Sequence, residues 1–217
     1  MDDDVRKPKR GEGRERVLDA ALAVIRTKGY ADTTVDDLCR AAGVTKGAFF
    51  HHFRSKEELA VAAAAHFGAM AARLFGSAPF VALPDPLERL LGYIDFRRAI
   101  LTGELADFTC LLGTMVQEAY ATHPAIRDAC AAEMLAHAAT LEADIAAAMA
   151  ASGRSFDFGP ESLARHAQAV LQGAFVLAKA TGGPEIAVDC VDHLRRYVLL
   201  ILAPEGAATA IDPGREP

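Results

Sequence analysis

Residues 33–56, TTVDDLCRAAGVTKGAFFHHFRSK, decide the fold of this chain. In the first part of this stretch the apolar residues recur at helical spacing. Thr33 or Thr34 can cap that helix, and Gly43 follows where a chain leaves a helix through the left-handed region. Thr45 then caps a second short helix. Two helices joined by a tight turn with glycine are typical of a helix-turn-helix, whose second helix reads the DNA major groove.

The second helix of this motif has an inner and an outer side. Phe49 and Phe53 are directed inward, while small residues lie between a lysine and a histidine on the outer side. Such a surface can approach base edges closely, with hydrogen-bond donors at its rim. An ordinary helical hairpin is the alternative, and the helix–glycine–helix pattern alone does not separate the two. The outer residues for which we predict DNA contacts are Lys46, Gly47, Ala48 and His51.

A longer helix follows, and its first turn contains Lys56. A cation at this end of a helix is unfavourable to the helix dipole. A DNA phosphate would compensate, and the backbone N–H groups of the helix end would also hold it. We therefore predict a phosphate contact at Lys56.

The stretch 14–64 resembles the DNA-binding domain of the TetR/AcrR family, on the runs RVLDAALAVIRTKGY, TTVDDLCRAAGV and TKGAFFHHFRSKEEL. The resemblance is gapless over about fifty residues. It departs from the family pattern at Phe50, where the family usually has a tyrosine whose hydroxyl contacts a phosphate. Together the motif and the resemblance predict DNA contacts at Thr34, Thr45, Lys46, Gly47, Ala48, Phe50, His51, His52 and Lys56.

The composition, together with the positions of Pro and Gly, predicts an all-α protein of about nine helices. Alanine is frequent, Trp is absent, and alternating strand-like runs are hard to find among the 217 residues. Pro and Gly divide the chain beyond the motif into predicted helices 55–75, 86–101, 105–120, 125–151, 161–181 and 185–202. We predict a flexible arm over 1–12, the DNA-binding domain over 13–60, a ligand-binding and dimerisation domain over 61–203, and a disordered tail over 204–217.

Charge and cysteine usage limit the partners and the compartment. The net charge of −6 is divided as +1 over residues 1–60 and −7 beyond, so DNA must be bound by locally placed basic groups. No run of eighteen apolar residues and no signal-peptide core is present, which predicts no membrane span. Four cysteines without paired short spacing favour reduced thiols in the cytoplasm, with no metal and no cofactor. The missing catalytic constellation argues against an enzyme.

The resemblance implies that the last two helices pair with those of a second subunit in a four-helix bundle. Both carry apolar stripes that fit this expectation. The alternative is that both stripes face the chain's own core, which would explain one stripe well and the additional apolar residues of these helices less well. The residues for which we predict a homodimer contact are Val170, Ala174, Leu177, Val191, Leu194 and Val198.

The middle helices are expected to enclose a pocket for a small apolar or aromatic effector. Its predicted lining is Phe67, Met70, Phe96, Phe108, Cys110, Met115, Met134 and His137. Cys110 is interpreted as a buried packing residue, with an effector-sensing thiol as the alternative. Glu133 and His137, four apart on one helix face, are interpreted as a solvated pair rather than as metal ligands.

These observations predict a transcriptional regulator, in the form of a repressor released from a palindromic double-stranded operator by its effector. Release follows if the effector favours a dimer state in which the two reading helices are wrongly spaced. The alternative is a TetR-like DNA-binding protein without an effector, acting in chromosome organisation or division control.

Overall fold

A computed structural model gives the structure of residues 12–204. These residues form helices and turns without a strand, which confirms the all-α prediction. The predicted arm and tail lie outside the described residues, apart from Glu12 and Pro204. The helices are α1 Glu12–Lys28, α2 Val35–Ala42, α3 Lys46–His52, α4 Lys56–Gly76, α5 Pro86–Ala99, α6 Leu105–Phe108, α7 Leu111–Ala119, α8 Pro124–Ala139, α9 Glu142–Ser152, α10 Pro160–Thr181 and α11 Glu185–Leu202, with a 3-10 helix at Pro79–Ala82.

Two predicted helices are each divided in the structure, so the described residues contain more helices than the nine predicted. The predicted helix 125–151 is interrupted at Thr140, whose hydroxyl donates to the carbonyl of His137 at 2.7 Å. A threonine hydroxyl that bonds back to the chain competes with the helical ladder. The predicted helix 105–120 is interrupted at Cys110, whose Sγ accepts the backbone N–H three residues on at 3.5 Å.

The chain forms two compact units. The first, here called the head unit, contains, of the described residues, 12–70 together with 109–133. The second, the body unit, contains 71–108 and 134–204. These units do not coincide with the linear domains predicted from the sequence, because α7 packs against α1. The predicted domain boundaries stay predictions.

The core of the head unit joins the first four helices. Leu18 and Ile25 of α1, Leu38 of α2 and Phe49 of α3 are each at most 1% exposed. Burying side chains of this size stabilises a fold by about 1.5–3 kcal/mol each relative to exposure. The helix-turn-helix formed by α2 and α3, here called the reading motif, is therefore fixed on its inner side, and its outer side is exposed to solvent.

The body unit is organised around an antiparallel pair, α10 and α11, against which α5 and α9 pack. This packing overturns part of the predicted dimer interface. Ala174, Val191, Leu194 and Val198 are 1–3% exposed in the single chain, so their side chains face the chain's own core. Leu177 of the same predicted set is 43% exposed. Apolar residues occur on more than one side of both helices, and periodicity alone does not tell which side the chain itself covers.

One described helix, α4, is long and apolar enough to cross a membrane by length and composition alone. Four of its residues, at 59, 60, 63 and 64, are fully buried within the head unit. Its first turn carries Glu57 and Glu58. A core helix passes the same test, so one such helix is weak support for a membrane span.

Candidate nucleic-acid interface

The first helix of the motif, α2, is held at its start by a reciprocal cap. The Thr34 hydroxyl accepts the Asp37 N–H at 3.1 Å, and the Asp37 carboxylate accepts the Thr34 N–H at 3.0 Å. The Lys28 ammonium lies 2.6 Å from the same carboxylate. This hydrogen bond from Lys28, followed by those from Thr34, holds the pKa of Asp37 well below its ordinary value. The folded state therefore stabilises the ionised form of the Asp37 carboxylate.

Asp37→Asn is expected to destabilise the protein at pH 7 and to have less effect in acid. A carboxyl whose pKa is lower in the folded state stabilises the fold fully above the pKa of the unfolded state, which is about 3.9 for Asp. This stabilisation is lost as the pH falls from there toward the pKa of the folded state. Urea unfolding of wild type and variant at pH 7 and pH 3 measures the difference. Asp36→Asn, in the same turn but outside the cap, is the control. An undiminished gap at pH 3 would contradict this assignment.

The turn after α2 is fixed by backbone geometry and by one arginine. Gly43 has φ 62° and ψ 40°, the left-handed conformation that glycine adopts without a Cβ penalty. Arg16 of α1 donates from Nη2 to the carbonyl of Gly43 at 2.7 Å. The sequence predicted the glycine, whereas the role of Arg16 follows from a contact 27 residues apart that no local pattern signals.

The second helix, α3, presents the predicted reading surface to solvent. Its N-cap is Thr45, whose hydroxyl accepts the Ala48 N–H at 3.1 Å. Phe49 and Phe53 are buried at 0% and 2%, as the sequence predicted. The exposed residues of α3 are Lys46, Gly47, Phe50 and His51, while Ala48 and His52 are half-buried. Phe50 is 52% exposed although its side chain has no polar group.

Gly47 is a bare position that the fold does not require. A Cβ added there would meet no other atom within 4 Å than the Thr45 hydroxyl at 3.8 Å. Glycine in a helix interior costs about 0.8–1.0 kcal/mol relative to alanine, and this sets an upper bound for Gly47 in the first turn of α3. A close approach by another molecule gives a reason for keeping the backbone bare at this point.

Lys46 at the start of α3 is paired across the turn. Its Nζ lies 2.8 Å from the Asp36 carboxylate, and both side chains are more than half exposed. This hydrogen bond, and then the negative charge of Asp36, raises the pKa of Lys46. Exposed pairs of this kind contribute little to stability. Lys46 can therefore exchange Asp36 for a DNA group at small cost.

Lys56 has partners within the chain that the sequence argument did not anticipate. Its ammonium donates to the carbonyls of Tyr30 at 2.9 Å and Ala31 at 3.2 Å, and it lies 4.4 Å from the Tyr30 ring centroid. Burial is the main cause that lowers its pKa. The sequence argument that the Lys56 cation needs a phosphate to offset the helix dipole was wrong, because two backbone carbonyls already stabilise its charge. A DNA contact at Lys56 stays a prediction.

The turn between α1 and α2 is also held from α7. The Glu118 carboxylate accepts the Ala31 N–H at 2.7 Å, and the His123 ring meets the Tyr30 ring edge-on at 5.3 Å between centroids. No local sequence pattern marks Glu118, since 87 residues separate it from Ala31. This contact places α7 directly on the connection that leads into the reading motif.

Glu118→Ala is expected to loosen this turn without unfolding the protein. A net loss of about 1 kcal/mol is ordinary for one intramolecular hydrogen bond. The direct readout is the amide of Ala31, whose protection against hydrogen exchange should fall while amides in the α1 core keep theirs. Glu118→Gln retains an oxygen acceptor and serves as the control. Unchanged protection at Ala31 in the alanine variant would exclude the contact.

The predicted pocket residues are divided between the two units. Met115 and Cys110 are buried in the head unit at 0% and 9% exposed, respectively. Phe67 and Met70 belong to the same unit, while the body unit holds Phe96, Phe108, Met134 and His137. That these side chains line one effector cavity stays a prediction.

Cys110 lies close to a second thiol in the head unit. Burial, and then the nearby thiol of Cys110, raises the pKa of Cys130 to about 12, so Cys130 is a poor thiolate. The Cys110 sulfur accepts the Gly113 N–H and caps α7. This capping contact supports the packing interpretation. The sensing role stays an untested alternative.

Glu133 and His137 do not form the solvated pair that their spacing suggested. His137 is bonded instead to Tyr93 at 3.0 Å and to Arg97 at 2.6 Å inside the body unit. Glu133 belongs to the head unit, where it lies against Gly68. Within residues 12–204 we find no group of three metal-ligating side chains.

A helix-turn-helix with an exposed second helix defines a DNA-binding class of protein, and comparison with known families makes the class specific. Residues 17–63 match the family described as bacterial regulatory proteins of the tetR family. Residues 86–194, half of the chain, match the tetracyclin repressor-like C-terminal domain. The chain therefore belongs to the TetR family of transcriptional regulators, whose members are DNA-binding proteins and not enzymes.

Individual relatives agree with this assignment. The chain is 48% identical over 48 residues to the HTH-type transcriptional regulator SrpR of Pseudomonas putida, a match covering 22% of each chain. It is 31% identical over 120 residues to the transcriptional regulator AcuR of Cereibacter sphaeroides, covering 46% of this chain and 55% of AcuR. These matches span about half or less of the relatives' own lengths. The crystal structure of reduced E. coli NemR shares the fold, with a TM-score of 0.76 at 22% identity over 90% of this chain and 99% of NemR.

Proposed function

We propose that this protein represses transcription by binding a palindromic operator as a homodimer, with α3 in the major groove. The observation that carries the proposal is the outer surface of α3, where Lys46, Gly47, Phe50 and His51 are exposed. None of these four residues is buried in the core. A bare backbone position between hydrogen-bond donors suits close contact with base edges.

The dimer is proposed to form through the exposed side of α10 and α11, not through the buried stripe. On α10, Val176 and Leu177 are 45% and 43% exposed, and on α11 Tyr197 and Leu200 are 40% and 54% exposed. The His166 and Tyr197 rings lie 5.2 Å apart, which joins the two helices at this face. Large apolar side chains exposed on both helices fit an interaction surface.

Release by a small effector is proposed to reach the reading motif through α7. Residues 109–133 form part of the head unit, and Glu118 bonds the turn that leads into α2. A ligand that favours a different position of α7 would then change the placement of the motif. Operator affinity would fall by the factor with which the ligand prefers that state. The effector is proposed to be apolar or aromatic, as the lining predicted from the sequence favours.

The substitution Gly47→Ala separates the effect on DNA binding from the effect on the stability of the fold. Because alanine is the better helix former, the variant is expected to be more stable, by less than the about 0.5–1 kcal/mol typical of the middle of a helix. The added methyl lies on the proposed DNA-facing side, so operator affinity should fall although the fold is improved. Thermal unfolding and fluorescence anisotropy with labelled upstream DNA measure the two quantities. Unchanged or tighter specific binding in the stabilised variant would remove α3 from the interface.

A further inference from the structure

Three polar side chains of the body unit form a cluster at the junction of α5 and α8. Arg97 donates from Nε to the Tyr93 hydroxyl oxygen at 2.9 Å and from Nη2 to His137 Nε2 at 2.6 Å. The Tyr93 oxygen lies 3.0 Å from the same His137 nitrogen. Tyr93 is 2% exposed, while Arg97 and His137 are half-buried. The cluster therefore lies at the edge of the interior.

The cluster holds more hydrogen-bond donors than acceptors. A neutral imidazole offers one lone pair, and both Arg97 Nη2–H and the Tyr93 hydroxyl converge on it. Burial, and then the positive charge of Arg97, lowers the pKa of His137 to about 4, so the ring is neutral at neutral pH. The lone pair can accept only one of these two hydrogens, so the other has no acceptor on His137.

Arg97 also differs from the neighbouring arginines in its partners. Arg89 lies 2.6 Å from Asp144, and Arg98 lies 2.8 Å from Asp192. Within the described part of the chain, Arg97 has no carboxylate within ion-pair distance and instead lies 4.1 Å over the Phe75 ring. A half-buried cation without an anion is costly, and an acceptor with negative charge would relieve it.

Two aromatic rings lie against this cation, at 4.1 Å (Phe75) and 5.3 Å (Tyr93) from its guanidinium carbon to the ring centroids, and two further rings pack on these. Phe96 meets Phe75 at 5.4 Å and Phe80 at 5.9 Å between ring centroids, and Phe80 lies 5.9 Å from Tyr93. Phe80 and Phe96 are half-buried, like Arg97, so each of the three has part of its surface in contact with solvent. The Arg97 cation, with a hydrogen-bond donor in excess, therefore belongs to the same cluster as the partly exposed rings of Phe80 and Phe96.

We propose that this cluster binds a small aromatic carboxylate, whose oxygens accept from Arg97 and Tyr93 and whose ring packs on Phe80 and Phe96. Guanidinium donors fit a carboxylate in a fixed planar geometry, which makes Arg the favoured residue for this ligand class. His137 remains an uncharged acceptor that fixes the Arg97 side chain. This inference rests on the proposed effector-controlled function and names the chemical class of its ligand.

Calorimetric titration of the full chain with benzoate, phenylacetate and cinnamate tests the proposal, each compared with its neutral amide. At least one carboxylate should bind saturably, and its amide should bind at least about tenfold more weakly, because the amide cannot form hydrogen bonds through a charged group. Arg97→Met should weaken the carboxylate by a similar factor, while Arg98→Met on the same helix should not. Equal binding of acid and amide, or no saturable binding of any acid, would overturn the proposal.

Two further measurements keep the outcomes distinct. If Arg97→Met fails to fold, Arg97→Lys retains the charge without the fork and should still bind at least about tenfold more weakly; wild-type affinity in this variant would count against the site. DNA binding of the ligand-free protein is measured separately. Carboxylate binding without any DNA binding would contradict the proposed function and leave the site standing, whereas DNA binding without carboxylate binding would contradict the site alone.

Discussion

Leu194→Glu is expected to unfold the protein, whereas Leu177→Glu is expected to leave it folded and monomeric. Leu194 is 3% exposed in the core that α11 forms within its own chain. An unpaired charge buried there costs about 3–5 kcal/mol, a large part of an ordinary folding free energy of about 5–15 kcal/mol. Leu177 is 43% exposed on α10, so glutamate at this position stays hydrated in the single chain.

Circular dichroism with urea and sedimentation velocity separate these two effects. The glutamate at 177 should retain the helical signal, abolish the dimer and abolish cooperative operator binding. Leu135→Glu, at an exposed leucine of α8 with 52% exposure, is the matched control and should change neither property. A folded, dimeric Leu194→Glu protein would contradict the burial of α11, and a dimeric Leu177→Glu protein would move the interface to another face.

The second large effect is expected at the reading helix. Lys46→Ala combined with His51→Ala should weaken operator binding and relax base preference, by about 1–3 kcal/mol for each bidentate interaction with a base that the substitutions remove. Both side chains are exposed and outside the core, so the fold should be unaffected. Asp36→Asn provides the converse, because it removes the carboxylate that pairs with Lys46 and should tighten binding to DNA of any sequence.

Anisotropy titrations with an operator duplex and a scrambled duplex measure this prediction. Arg127→Ala on α8, which removes an exposed arginine paired with Asp128, controls for a general loss of positive charge. The double variant should approach the affinity for scrambled DNA, while the control should keep its preference for the operator. Full sequence-specific binding by a folded double variant would refute the assignment of α3.

Local chemistry made the reading motif predictable from sequence. The N-cap residues, the left-handed glycine and the buried Phe49 and Phe53 each depend on neighbours within a few positions. The cap of α2 is such a case, since Thr34 and Asp37 satisfy each other across a single turn. Patterns of this length can be read without knowing what packs against them.

Interactions between distant segments were not predictable in the same way. The sequence marks α11 as amphipathic, but the partner that covers Leu194 is the chain's own core, a fact that depends on tertiary packing. Glu118 and Arg97 likewise have bonding partners 87 and 40 residues away, respectively. The apolar or aromatic ligand follows from the sequence, whereas the carboxylate that we propose for it depends on the contact between Arg97 and the neutral His137.

Selection of bound duplexes from a random-sequence DNA library tests the central claim most directly, namely that α3 of a dimer reads an operator. The full chain should enrich one inverted repeat, with half-sites separated by about one helical turn, or 10–10.5 base pairs, or a multiple of it. The Lys46→Ala/His51→Ala protein should enrich no such repeat. Recovery of duplexes without a shared motif by folded, dimeric wild-type protein would contradict the account.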